Sequence, residues 1–224
     1  MRRRPVRGHR GHMGFITGLV VGALAGAAGH RLLRTLRRGA KVHIGWCAGG
    51  VGALWSLVGW RFATGSLPWW WLPIPAALAW FGVLLVATDL RHRRLPDALT
   101  LPAYPVLAAA AVLAASQTGW RLALSATLGA LVLYCLYAAV HLARPTALGG
   151  GDVKLSGTVG AALGAIGWPA VLVGTTLAAI LTLALRALAP KSTRTRWRTG
   201  IPHGPGLLTA TYLLTTFPGP TIPP

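Results

Sequence analysis

Only three residues in this chain carry a carboxylate, Asp89, Asp97 and Asp152, and there is no glutamate. Against them stand 22 lysines and arginines, for a formal net charge of +19. An acid retained in so apolar a chain is a candidate for function before it is a candidate for solubility. Asp152 follows a triple glycine in Gly149-Gly150-Gly151-Asp152-Val153-Lys154-Leu155. Asp89 ends a long apolar run and opens the stretch Asp89-Leu90-Arg91-His92-Arg93-Arg94-Leu95-Pro96-Asp97-Ala98-Leu99-Thr100. Two aspartates brought together at a partly dry site can hydrolyse a peptide bond. Like charges in proximity do not both ionise, so such a pair shares one proton. The ionised member takes a proton from water and the protonated member polarises the scissile carbonyl. This chemistry needs no metal, cofactor or other nucleophile.

Each of these residues also has a plainer use. Asp89 stands four positions before Arg93, the spacing of a helical ion pair. Asp97 lies between a proline and an apolar run, where its carboxylate would cap helix N–H groups; capping is favoured over direct catalysis. Gly149–Gly151 suit a turn with Asp152 as its cap, since glycine reaches backbone angles closed to other residues. Three glycines also leave room for a substrate backbone. Lys154 is placed to pair with Asp152, to meet lipid phosphate, or simply to be solvated, and the last is its default. Other chemistries find no support. The seven histidines form no His-Glu-x-x-His motif, and neither a Gly-x-Ser-x-Gly elbow nor a phosphate-binding loop occurs. Cys47 and Cys135 stand alone in apolar runs and read as small buried hydrophobes.

The elements that must position the acids are membrane helices. The chain is 54% hydrophobic and 11% charged, with a mean hydropathy of +0.56. A soluble chain would carry about 25% charged residues. This composition predicts an all-α, polytopic membrane bundle of about eight transmembrane or partly re-entrant helices. The basic character reflects cations at helix ends and attraction to lipid headgroups, not a nucleic-acid partner. Apolar runs are expected near 14–29, 42–63, 70–88, 99–116, 121–142, 153–167, 169–189 and 204–217. Those at 153–167 and 204–217 are shorter than the ~20 residues of a comfortable span. Small residues in the first run predict close helix packing. Trp69, Trp70 and Trp71 read as an interfacial anchor, with Trp120 and Trp168 opening later segments in the same way. Pro73, Pro75, Pro102, Pro105 and Pro169 are expected near helix starts. Residues 1–12 form a basic tail before a single membrane-embedded domain over 13–224, with its core at about 70–217. Met13 is an alternative start.

Loop charges set an orientation. Alternate loops hold Arg31, Arg34, Arg37, Arg38 and Lys41; Arg91, Arg93 and Arg94; Arg144 and Lys154; and Arg186, Lys191, Arg194, Arg196 and Arg198. The loops between them hold only Arg61 and Arg121. The positive-inside rule makes the rich set cytoplasmic. Asp89, Asp97 and Asp152 then all face the cytoplasm at similar depth. The basic tail is the one feature that conflicts with this orientation.

Two aspartate motifs in this order, in a polytopic chain, resemble the type IV prepilin peptidases. Gly149-Gly150-Gly151-Asp152 is similar to that family's Gly-x-Gly-Asp motif, which Lys154 follows. Asp89 to Thr100 is similar to its first aspartate motif, including Leu95-Pro96-Asp97. Ile201-Pro202-His203-Gly204-Pro205 resembles a third signature, usually Pro-Phe-Gly-Pro, with His203 as the departure. The resemblance covers about residues 70–217. It implies a cell-membrane aspartic endopeptidase with Asp89 and Asp152 catalytic. Gly149, Gly151, Lys154, Pro96, Asp97, Pro202, Gly204 and Pro205 would then be supporting motif positions. The implied substrate is a prepilin-like protein with a basic leader and a hydrophobic helix, cut at the cytoplasmic face beside membrane lipid. No cofactor is expected. Many members also carry a cysteine-bearing methyltransferase domain after the first helix. Arg31–Lys41 is too short for one, so peptidase activity alone is expected, as in compact members serving tight-adherence pili or archaeal-type filaments. A transporter or channel, or a non-catalytic pilus-assembly protein, is the alternative. Repeated halves would favour a transporter, and none are evident.

Overall fold

A computed structural model describes residues 7–36, 42–92, 95–145, 148–190, 193 and 202–222. Eight α-helices form among them, and no strand. They are α1 (Arg7–Thr35), α2 (Ile44–Ala63), α3 (Pro73–His92), α4 (Asp97–Thr118), α5 (Trp120–Ala143), α6 (Gly150–Ile166), α7 (Trp168–Leu188) and α8 (Gly204–Thr216). Short 3-10 turns stand at Trp69–Trp71 and Gly219–Thr221. Each expected apolar run is one of these helices, and the protein is a helical bundle. Five segments are long and apolar enough to cross a membrane: Arg10–Thr35, Trp69–Leu90, Asp97–Thr118, Trp120–Ala143 and Trp168–Leu188. Helix α1 begins by Arg7, inside the basic tail.

The two short helices are the centre of the arrangement. Helix α6 has 17 residues and α8 has 13, about 25 and 20 Å at 1.5 Å per residue. Neither matches a hydrocarbon layer of about 30 Å. Helix α6 packs against α4, α5, α7 and α8. From Asp152 to Ala165 only Lys154 and Ala161 escape full burial. Its polar residues are satisfied locally, with Ser156 donating to the Val153 carbonyl at 2.7 Å and Thr158 to Leu155 at 2.8 Å. Glycine lets its neighbour approach. A Cβ at Gly164 would lie 2.5 Å from the Ser125 carbonyl oxygen, and the Ser125 hydroxyl donates to the Gly164 carbonyl at 2.7 Å. The same device seals α1 to α2. Gly14, Gly18, Gly22 and Gly26 recur every fourth residue, and a Cβ at Gly22 would lie 2.8 Å from the Val51 carbonyl oxygen. Close backbone approach of this kind replaces the hydrophobic drive that lipid removes.

Several expectations need correction. Trp70 and Trp71 are buried, and the Trp71 indole donates to the Thr215 carbonyl at 2.8 Å. They close the end of the bundle beneath α8; only Trp69 of the three is exposed. A buried indole is stable there because its N–H finds a carbonyl. Pro102 and Pro105 lie inside α4, not at its start. Cys47 is buried as expected, but Cys135 is exposed on the outer face of α5. Lipid accepts a thiol as readily as a protein core does, so its apolar neighbours could not tell the two apart.

Candidate active site

Helix α3 continues one turn past Asp89, to His92. Asp89 is buried beside Thr88, whose hydroxyl donates back to the Leu85 carbonyl at 2.8 Å. The expected partner Arg93 lies outside the described residues. Asp152 is buried in the first turn of α6, ahead of the apolar run and outside all five spanning segments. Beside both acids lies Gly204, the first residue of α8. A Cβ placed on Gly204 would lie 2.9 Å from Asp89 Oδ2 and 3.6 Å from Asp152 Oδ1. Both carboxylates therefore reach within 3.6 Å of one point. The gap is lined by a residue with no side chain, at the positive end of a helix dipole.

Asp152 is turned two ways. Oδ2 lies 3.4 Å from where a Gly149 Cβ would be, and the Gly149 backbone N–H favours its charged form. Oδ1 faces the gap, buried and with no hydrogen-bond partner among the described residues. Burial first, and then the neighbouring Asp89 charge, push the Asp152 carboxyl up to about 7, against the pull of Gly149. A carboxyl that keeps its proton near neutral pH can serve as an acid.

The loops around the pair hold each other. Gly149 has extended angles of φ −72° and ψ 144°, and none of Gly149–Gly151 has a positive φ. The turn therefore does not need glycine for its backbone angles. What excludes a side chain at Gly151 is space, since a Cβ there would lie 2.9 Å from Leu95 Cβ. The two aspartate motifs touch at that point. They are also joined by charge. Asp97 is the first residue of α4, one position past the capping residue, buried Pro96. Its Oδ1 accepts from Lys154 Nζ at 2.7 Å. The capping reading of Asp97 and the solvated reading of Lys154 both give way to this ion pair. Tyr104 Oη donates to the Lys154 carbonyl at 2.5 Å. His141 Nδ1–H donates to the Leu148 carbonyl at 2.7 Å and steadies the entry to the glycines.

The third motif lies across the gap. Ile201 falls outside the described residues, while Pro202, Gly204 and Pro205 are buried. Pro205 sits in the first turn of α8, where a missing N–H is harmless. His203 Nε2 lies 2.9 Å from Tyr137 Oη, and its Nδ1 lies 2.9 Å from Thr182 Oγ1. The imidazole stacks on the Tyr137 ring at 5.9 Å between centroids and 27° between planes. Burial lowers the His203 pKa and favours its neutral form.

The statistical profile of the Type IV leader peptidase family matches residues 76–186. That span contains both aspartates, Leu95–Asp97 and Gly149–Lys154. The chain belongs to the type IV leader peptidase family. Comparison with curated proteins and with solved structures yields no match. As a leader peptidase family protein with five segments able to span a bilayer, it is a multi-pass membrane peptidase. Its family implies prepilin-like substrates.

In this leader peptidase family chain, sequence reasoning passed over Tyr104, Tyr137, His141 and Thr182. Each is a polar residue inside an apolar helix. That was the available signal, because a polar group within a span needs an internal partner. The partners themselves lie far along the chain, and Tyr137 meets a residue 66 positions away.

Proposed function

We propose that the chain is an aspartic endopeptidase that removes the basic leader of prepilin-like proteins at the cytoplasmic membrane face. Asp89 and Asp152 are its catalytic pair. The observation that carries this reading is the approach of both carboxylates to Gly204 from two separate helices. Asp152 holds the shared proton and Asp89 is ionised. A water in the gap gives a proton to Asp89 as its oxygen attacks the scissile carbonyl, and the Asp152 proton passes to the carbonyl oxygen. When the diol collapses, the C–N bond breaks. The leaving amine takes the proton from Asp89, and Asp152 regains one from the diol, so the pair again shares one proton.

The cytoplasmic orientation rests on the loop cations, with the pair on the cation-rich side. Residues 36–43 are all that separate α1 from α2, too few for a methyltransferase domain at that point, so the proposed activity is peptidase alone. The chain works as one membrane-embedded domain whose peptidase core spans about 70–217. Gly149, Gly151, Pro96, Asp97, Lys154, Pro202, Gly204 and Pro205 shape the loops around the pair.

The test is co-expression with a prepilin. Asp89→Asn and Asp152→Asn should each abolish leader removal while inserting in the membrane at the wild-type level. Normal processing by either variant would sink the assignment.

A further inference from the structure

We infer that His203 is a positioning residue for the carboxylate pair: it ties α5 and α7 to the start of α8 and so holds Gly204 against Asp89 and Asp152. The inference rests on the aspartyl reading of the pair.

One assignment of protons makes all three hydrogen bonds around the imidazole at once. The Thr182 hydroxyl donates to the Ala178 carbonyl at 2.8 Å. Its oxygen is then an acceptor for His203, which makes Nδ1 the protonated nitrogen. Nε2 is left as an acceptor and receives the Tyr137 hydroxyl. One neutral tautomer satisfies both neighbours and leaves neither ring nitrogen idle. Phenylalanine, the residue usual at this place, would keep the stack on Tyr137 and make neither bond.

The anchor acts where there is least slack. Three residues on, a Cβ at Gly206 would lie 2.5 Å from the Ala178 carbonyl oxygen, so α8 presses directly on α7 beside Thr182. One residue on, Gly204 meets both carboxylates. A small rotation of the α8 start would therefore move the wall of the gap. His203 itself touches no reacting atom.

The test uses the purified full-length protein in lipid nanodiscs. Its probe is a synthetic peptide with a basic leader, a glycine and an apolar segment. His203→Phe should lower kcat about tenfold with KM unchanged, the signature of lost orientation. His203→Asn, whose amide can donate to Thr182 as Nδ1 does, should recover kcat to within about threefold of wild type. His203→Phe combined with Tyr137→Phe removes the stranded hydroxyl as well. Its thermal midpoint should return to the wild-type value while kcat stays about tenfold low. Wild-type kcat in that double variant would show that His203 only fills and satisfies a space, and would overturn the inference. Wild-type kcat in His203→Phe alone, or a change in KM only, would do the same. A second readout needs no turnover. Nitrogen-15 histidine spectra, with His203 assigned by its loss in the phenylalanine variant, should show a neutral Nδ1–H ring, and an Nε2–H ring would overturn the geometry. Failure of the aspartyl reading looks different: cleavage would survive Asp89→Asn or Asp152→Asn, with the spectra unchanged.

Discussion

Gly204 illustrates how little space the pair leaves. A methyl group there would stand 2.9 Å from Asp89 Oδ2, tighter than real carbon–oxygen contacts. Either α8 or the carboxylate must shift, at a cost of about 1–3 kcal/mol for overpacking. Gly204→Ala should therefore insert and fold but lose at least about tenfold in kcat, because the reacting groups are displaced. Cleavage kinetics alongside a thermal melt check this; full activity would mean that the gap is not where water sits. The raised carboxyl of Asp152 gives a second prediction. The working pair holds one proton. Raising the pH through about 7, the value set first by burial and then by Asp89, strips that proton from Asp152. Cleavage should fall on the alkaline side and recover as the pH is brought back down. A pH–rate profile flat from about 6 to 9 would contradict a shared proton.

At the scale of the elements, the ion pair of Asp97 and Lys154 joins the start of α4 to the start of α6. Its side chains are 56% and 44% exposed, so it contributes only ~0.2–1 kcal/mol. That is too little to hold the fold together. It is enough to bias how the two motif loops meet, with Gly151 on Leu95 and Tyr104 on the Lys154 carbonyl giving the contact its shape. Removing either charge should cut kcat/KM by up to about fivefold, the equivalent of ~1 kcal/mol. The melting temperature should scarcely move. Exchanging the charges, Asp97→Lys with Lys154→Asp, should restore most of the loss. If the exchange is no better than the single variants, the pair does not act by joining the loops.

For the whole molecule, what was legible in the sequence follows from what lipid selects. Length and hydropathy place all eight helices, six of them to within about three residues at each end, while α1 runs about two turns further at both ends than expected, since a span must be apolar whatever it packs against. The order of motifs and the cations in the loops put Asp89 and Asp152 at one end of the bundle. Helix faces were not legible. In a soluble protein the buried face is the apolar one. Here Leu142 and Leu188 are 80% and 85% exposed while Leu84 and Leu133 are buried, and nothing in the residue type separates them. For that reason Trp70 and Trp71 read as interfacial but are core, and Cys135 reads as buried but faces outward. The partners of Lys154 and His203 were hidden for a related reason. They depend on which helices lie side by side, and α8 meets α3, α6 and α7 from far along the chain.

That late position of α8 has a consequence for how the protein is made. Membrane chains are delivered in order, at about 5–20 residues per second. Asp89 and Asp152 have both emerged before Gly204 is synthesised. Until α8 arrives, the growing chain carries two acids without the Gly204 wall beside them and without His203 for Tyr137 and Thr182 to bond. If Asp89 and Asp152 are the catalytic pair, a chain truncated before Gly204 should insert yet leave a co-expressed prepilin uncut. On the proposed reading, activity should begin only once α8 has docked beside the acids, late in synthesis.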